Sequence, residues 1–208
     1  MIAKFLASQL RKPSGWIGKR IIAKALNRDN ASMNNLALRM LNLESTDDNC
    51  ILELGFGGGY LLNKILQLAG IISVTGVDIS PEMLDLCKKH FQSDIKSGKL
   101  KLKCASIENL PEFDHNFTHI CTVNTIYFWS DIQEIFTRLY QLLEEEGLLV
   151  ICFNTKEFLQ QTNLAKYGFK TYESKQIENL MRLSGFRNIN HVFTSEDKQS
   201  FVCIIGRK

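Results

Sequence analysis

At 208 residues, 45% of them hydrophobic, with a formal charge of +3, the chain has enough apolar mass for one sizeable core and the length of a single α/β unit. Its six cysteines (50, 87, 104, 121, 152 and 203) include no C-x-x-C pair, and its four histidines lack metal-ligand spacing. This argues against a disulfide framework or a metal centre and for buried thiols in a reducing compartment. No apolar stretch approaches a membrane span and the N-terminus lacks a signal-peptide apolar block, so a soluble, cytoplasmic protein is expected.

Residues 1–49 read as helices. Ile2, Phe5, Leu6 and Leu10 recur at helical spacing, as do Ile17, Ile21, Ile22 and Leu26, with Pro13-Ser14-Gly15 between the two runs. A third run, Leu36, Met40 and Leu43, leads to the polar stop at Glu44–Asn49. Residues 1–43 carry eight Lys or Arg against the single acid Asp29, so this segment is expected either to meet an anionic partner or to present a solvated basic face.

From residue 50 the rhythm becomes strand, glycine turn, helix. Cys50–Leu54 is a short buried strand, Tyr60–Leu68 a helix, and Ile71–Val77 a second strand ending at Asp78. Ser80-Pro81-Glu82 opens a helix with a capping hydroxyl, a proline in the first turn and an acid facing the dipole. Strands follow at Leu100–Cys104 and Thr118–Val123. Next comes the helix Asp131–Leu143, whose stripe of Ile132, Ile135, Phe136, Leu139, Leu142 and Leu143 is introduced by a Ser130/Gln133 capping box. Leu148–Phe153 is a fifth strand, and Ile177–Ser184 a helix stopped by Gly185. Ile189–Phe193 and Phe201–Ile205 are strands joined by a connection short enough to require an antiparallel hairpin.

The chemistry concentrates at Glu53-Leu54-Gly55-Phe56-Gly57-Gly58-Gly59. Glycines there let the backbone turn out of a strand and approach a ligand on main-chain N–H groups. A dinucleotide fingerprint needs a small residue at position 60, and Tyr60 disfavours it. Glu53 is a carboxylate suited to an ammonium group, and Asp78, 23 residues after Gly55, has the reach to accept from ribose hydroxyls.

These motifs, with Gly76-Val77-Asp78-Ile79-Ser80-Pro81-Glu82-Met83-Leu84, Ile107-Glu108-Asn109-Leu110-Pro111, Asn124-Thr125-Ile126-Tyr127-Phe128-Trp129 and Ser184-Gly185-Phe186, resemble the class I S-adenosylmethionine-dependent methyltransferases, and within them the UbiE/Coq5-like group. The resemblance runs from about residue 50 to the C-terminus. It implies a Rossmann-like seven-stranded, mostly parallel sheet ordered 3-2-1-4-5-7-6, with 1–49 as a helical lid and 50–208 as the methyltransferase domain. It also implies S-adenosylmethionine as cofactor, with Glu53 at its methionine end, Gly55, Phe56 and Gly57 beneath it, Asp78 on the ribose, and Ile79 and Met83 on the adenine side. Ser106 stands where relatives carry an aspartate, Ile107 offers its backbone N–H, and Asn124 faces the amino-acid end.

The implied reaction is methyl transfer to O, N or C of a small-molecule or lipid-like acceptor, without a metal. Tyr127 is the first candidate for a base, with His115 second and an aromatic wall of Tyr127 and Trp129 as the alternative. Trp16, Met33 and Asn34 are lid candidates, and residues 154–172 are a second candidate wall. The basic helices suggest peripheral contact with an anionic membrane. A cofactor-binding module without turnover and a nucleic-acid or protein methyltransferase remain alternatives. Amino methylation of a flipped base is disfavoured because Asn124-Thr125-Ile126-Tyr127 replaces the Asn/Asp-Pro-Pro-aromatic block.

Overall fold

The computed structural model describes residues 30–43, 48–162, 164–196 and 199–208, so the expected helices over residues 2–26, with Trp16, lie outside the described residues. Within them the chain alternates helix and strand: α1 (Ala31–Met40), β1 (Asn49–Leu54), α2 (Tyr60–Leu66), β2 (Ile71–Asp78), α3 (Pro81–His90), α4 (Gln92–Lys96), β3 (Leu100–Cys104) and β4 (Phe117–Val123). Then come α5 (Ile132–Leu142), β5 (Leu143–Asn154), α6 (Lys156–Gln161), α7 (Ser174–Leu183), β6 (Arg187–Glu196) and β7 (Gln199–Arg207). Short 3-10 turns occupy Ile107–Asn109, Ile126–Phe128 and Leu164–Tyr167.

The seven strands form one sheet in the order β3-β2-β1-β4-β5-β7-β6. β1 to β5 run parallel, and β7 is antiparallel to both β5 and β6. Parallel strands joined by crossover helices have both faces covered, which is why Cys50-Ile51-Leu52 and Leu148–Phe153 are nearly continuous apolar runs. One face packs against α1, α2 and α3, burying Met33, Leu36, Leu61, Ile65, Met83 and Cys87. The other packs against α5, α6 and α7, burying Phe136, Leu139, Leu159, Ile177 and Met181.

α1 therefore belongs to the packed unit: its Met33, Leu36 and Ala37 are at most 2% exposed and lie against β4, β5 and β7. Each large apolar side chain so buried contributes about 1.5–3 kcal/mol. Ser80 Oγ accepts from Met83 N at 3.3 Å, as the capping signal predicts. At α5 the cap differs from expectation: Asp131 Oδ1 accepts from Glu134 N at 3.0 Å, because Ser130 is drawn away to Glu108. β5 also begins earlier than expected, its first turn of strand carrying the exposed Glu144, Glu145 and Glu146 ahead of the buried stretch.

Candidate functional site

The carboxyl ends of β1, β2 and β4 open onto one cleft, at the point where strand order reverses between β1 and β4. Its cavity volume is about 160 Å³. Glu53, Gly55, Phe56, Gly57, Asp78, Ile79, Ile107 and Asn124 all line it, so eight of the residues singled out by sequence come together.

The glycine turn owes its path to two constraints. Gly55 has φ +78°, and a Cβ there would stand 2.3 Å from Thr125 Cγ2. Gly57 has φ +50° with nothing within 4 Å of where a Cβ would go, so the turn is open on that side. Asp78 fixes the turn from below: Oδ2 accepts from Gly57 N and Oδ1 from Ser80 N, each at 2.8 Å. With Ile79 N–H also bonded to this carboxylate, part of its acceptor capacity is left for a ligand hydroxyl. Burial pushes the Asp78 carboxyl up, and the N–H groups of Ser80, Gly57 and Ile79 partly oppose that.

Glu53 is 4% exposed on β1, and its Oε2 is buried without a hydrogen-bond partner among the described residues. Burial first, and the neighbouring Asp78 charge second, raise its pKa to about 8. An orphaned, mostly protonated carboxyl in a cleft wall is the complement of a cationic ligand group. With the open face at Gly57, it makes the residues present fit S-adenosylmethionine. Beneath the turn Cys87 donates its thiol to Gly57 O at 3.5 Å, and burial lifts that thiol to about 12, so it stays a packed, neutral neighbour.

The other wall comes from the loop after β4. Asn124 adopts φ +59°; its Nδ2 donates to Asn30 Oδ1 at 2.7 Å, and its Oδ1 accepts from Tyr127 Oη at 2.6 Å and from Asn154 Nδ2 at 3.2 Å. The Tyr127 hydroxyl also accepts from Asn154 N at 2.5 Å. Tyr127 is 1% exposed and absent from the cleft lining, and burial moves its pKa well above the ordinary phenol value. With its proton directed at Asn124 and an acceptor site used by a main-chain N–H, this hydroxyl is placed to hold the loop rather than to take a substrate proton. The 3-10 turn at Ile126–Phe128 sends Ile126 and Tyr127 inward, while Phe128, half-buried, and the next residue Trp129, 1% exposed, line the cleft.

Two further sequence candidates fall elsewhere. Met83 is fully buried in the core, because the cap at Ser80 turns that face of α3 toward the sheet. Ser106 lies outside the cleft lining, its Oγ accepting from Asn109 Nδ2 at 3.4 Å, while its neighbours Ala105, Ile107 and Glu108 line the cleft. His115 is not part of the lining. Of the lid candidates Asn34 lines the cleft and Met33 packs from α1 into the core. Sequence reasoning missed Asn30, which no local pattern marks, and the second use of Tyr60, which lines the cleft while its hydroxyl donates to Asn35 Oδ1 at 3.3 Å. Among the described residues no group of three or more His, Cys, Asp or Glu side chains could hold a metal ion, and no helix is long and apolar enough to cross a membrane.

The methyltransferase domain family matches residues 51–147. The chain is similar to the uncharacterised methyltransferase YdaC of Bacillus subtilis, 24% identical over 86% of this chain and 93% of YdaC. It is also similar to the ubiquinone/menaquinone biosynthesis C-methyltransferase UbiE of Geotalea daltonii, 27% identical over 57% of this chain and 52% of UbiE, spanning about half of that relative. Among solved structures, geranyl diphosphate C-methyltransferase from Streptomyces coelicolor A3(2), in complex with S-adenosyl-L-homocysteine, superposes with a TM-score of 0.71 at 13% identity, over 96% of this chain and 86% of that one. Residues 51–147 carry a methyltransferase domain, and these likenesses support an S-adenosylmethionine-dependent methyltransferase with S-adenosylmethionine as cofactor.

Proposed function

We propose that this methyltransferase moves a methyl group to O, N or C of a small-molecule or lipid-like acceptor held against Phe128 and Trp129. The observation that carries the reading is the division of one cleft into two chemically distinct walls. Glu53, Gly55, Gly57, Asp78 and Ile107 form a charged and backbone-lined side; Asn30, Asn34, Asn124, Phe128 and Trp129 form an amide and aromatic side.

On this reading Glu53 pairs with the cofactor's ammonium group and Asp78 accepts from the ribose hydroxyls. Phe56 and Ile79 supply apolar contact, Ile107 offers its N–H to the adenine edge, and Asn124 orients the amino-acid end. Bound S-adenosylmethionine supplies a methyl group already activated by its sulfonium. What the chain adds is alignment and exclusion of water, and Phe128 and Trp129 are the rigid surfaces that do this for the acceptor. Asn30 and Asn34 border the acceptor side, where Asn30 meets Asn124.

A lipid-like acceptor is favoured by the basic segment 1–43, which suits an anionic membrane surface. UbiE and geranyl diphosphate C-methyltransferase, whose names record quinone biosynthesis and a prenyl diphosphate, make such acceptors the first to test. The decisive experiment incubates the protein with methyl-labelled cofactor and a cell extract and identifies the labelled product by mass spectrometry. Label in a small or lipid-soluble product supports the reading; label only in protein or nucleic acid overturns it. Co-sedimentation with vesicles should rise with their anionic lipid content, and binding indifferent to that content would remove the membrane contact.

A further inference from the structure

The aromatic wall is held from behind by the segment that follows β5. Lys170 N donates to Tyr127 O at 3.2 Å, and the Lys170 ammonium donates to Trp129 O at 2.7 Å and Ser130 O at 3.1 Å. One residue thus occupies three carbonyls of a four-residue stretch that joins a 3-10 turn to α5. The side chain suits the task, since an ammonium group has three donors and makes charge-assisted bonds.

The adjoining Phe169, 7% exposed, packs its ring 5.5 Å from Tyr127 and edge-on 4.7 Å from Phe128. From the opposite side Glu108 Oε1 accepts from Ser130 N at 3.2 Å and Ser130 Oγ at 3.4 Å. The loop bearing Phe128 and Trp129 is therefore pinned between the 3-10 turn at Ile107–Asn109 and the strand-following segment, while Lys170 itself lies outside the cleft lining.

We propose that Lys170 is a positioning residue for methyl transfer. It sets the Phe128–Trp129 wall, and through that wall the acceptor's place against the methyl donor, without touching either ligand. The inference rests on the reading that the acceptor meets the donor at this wall. Misplacement by about an ångström of a group that aligns a transfer costs up to about a hundredfold in rate, so a residue acting only through backbone carbonyls can matter for turnover. Lys170 is exposed and belongs to neither core cluster, so its removal leaves the core packing in place.

The test uses the full chain labelled with 5-fluorotryptophan, which gives two fluorine resonances, from Trp16 and Trp129. In Lys170→Met the Trp129 resonance is expected to shift and broaden while affinity for S-adenosylhomocysteine stays within about twofold. Methyl incorporation into the extract at saturating cofactor should fall about tenfold at unchanged cofactor KM. Lys170→Arg, whose guanidinium can donate to the same carbonyls, should recover both resonance and rate.

An unchanged Trp129 resonance and rate in Lys170→Met would overturn the proposal. So would parallel losses of S-adenosylhomocysteine affinity, thermal stability and rate that arginine does not rescue, because these would make Lys170 a fold residue only. Wild-type protein that fails to bind S-adenosylhomocysteine would instead defeat the reading of the donor wall, so the two failures are distinct.

Discussion

Glu53 should make cofactor binding release a proton. In the free protein burial and the nearby Asp78 hold its pKa at about 8, so at pH 7 about nine in ten molecules carry the neutral acid. The ligand's α-amino group also titrates at about 8 and arrives as an ammonium, and an ion pair with Glu53 requires the carboxylate. Affinity should follow the product of the ionised-carboxyl and ammonium fractions, rising about eightfold from pH 6 to 7 and about threefold from 7 to 8 before falling again. Across pH 6–8 this amounts to about 2 kcal/mol.

The assay is calorimetry with S-adenosylhomocysteine in buffers of different ionisation heat, which should report about 0.8 proton released per ligand at pH 7. Glu53→Gln should bind more weakly and lose the rise below pH 8. Wild-type affinity that is flat between pH 6 and 8, with no buffer-dependent heat, would refute the reasoning. The same shift has a signed effect on folding. A carboxyl whose pKa is higher in the folded than in the unfolded chain favours folding most below about pH 4.5, and that contribution declines as pH rises toward 8. Asp78, also raised, acts in the same direction. The melting temperature of the wild type should therefore fall over this range relative to Glu53→Gln.

Asp78→Ala should weaken S-adenosylhomocysteine binding by about 1–3 kcal/mol through lost ribose bonds and a loosened Gly57 N–H; unchanged affinity by titration would remove the ribose assignment. Tyr127→Phe leaves Asn154 N without its buried partner and Asn124 Oδ1 with Asn154 Nδ2 alone and should cost about 1–3 kcal/mol of stability. Its pH–rate profile should be unaltered, whereas a fall of about 10²–10⁴ with loss of one pH limb would identify a base. Gly55→Ala places a methyl against Thr125 at a positive φ and should weaken cofactor binding more than tenfold, about 1.4 kcal/mol or more. Adding Thr125→Ser, which removes Cγ2 and keeps the hydroxyl bonded to Thr122, should restore part of it; no recovery would place the damage in the backbone strain alone.

The donor wall was legible in the sequence because its signals are local. Glycines at 55 and 57, an acid at 53 and another closing the next strand each act through their own backbone or a neighbouring one. Elements with strong periodicity, such as α5, were equally readable, and so was the antiparallel β6–β7 hairpin. The opposite wall was legible only in part, for a physical reason. Trp129, Asn34 and Asn124 were expected at the site and line the cleft, but a 3-10 turn over Ile126–Phe128 has no sequence period long enough to reveal which aromatic faces inward, so Tyr127 was expected in the wall where Phe128 stands. Ser130 illustrates tertiary override: it is a competent cap by pattern, yet Glu108, 22 residues earlier, draws it away and Asp131 caps instead. Asn30 and Lys170 reach the loop from 94 and about 40 residues away, distances at which no pattern speaks.

The reversal of strand order between β1 and β4 also divides the gene. Cleft residues from Asn30 to Glu108 are encoded before β4, and the Asn124–Ser130 loop with its Phe169–Lys170 support after β4 has begun. The two stretches meet along a narrow seam, where Thr122 donates to Leu54 O at 2.8 Å and Thr125 closes on Gly55. A crossover placed in the 110–116 connection would therefore replace the Asn124–Trp129 side of the cleft while leaving the glycine turn, Asn30 and Asn34 whole, provided the incoming half brings threonines of the same size to that seam.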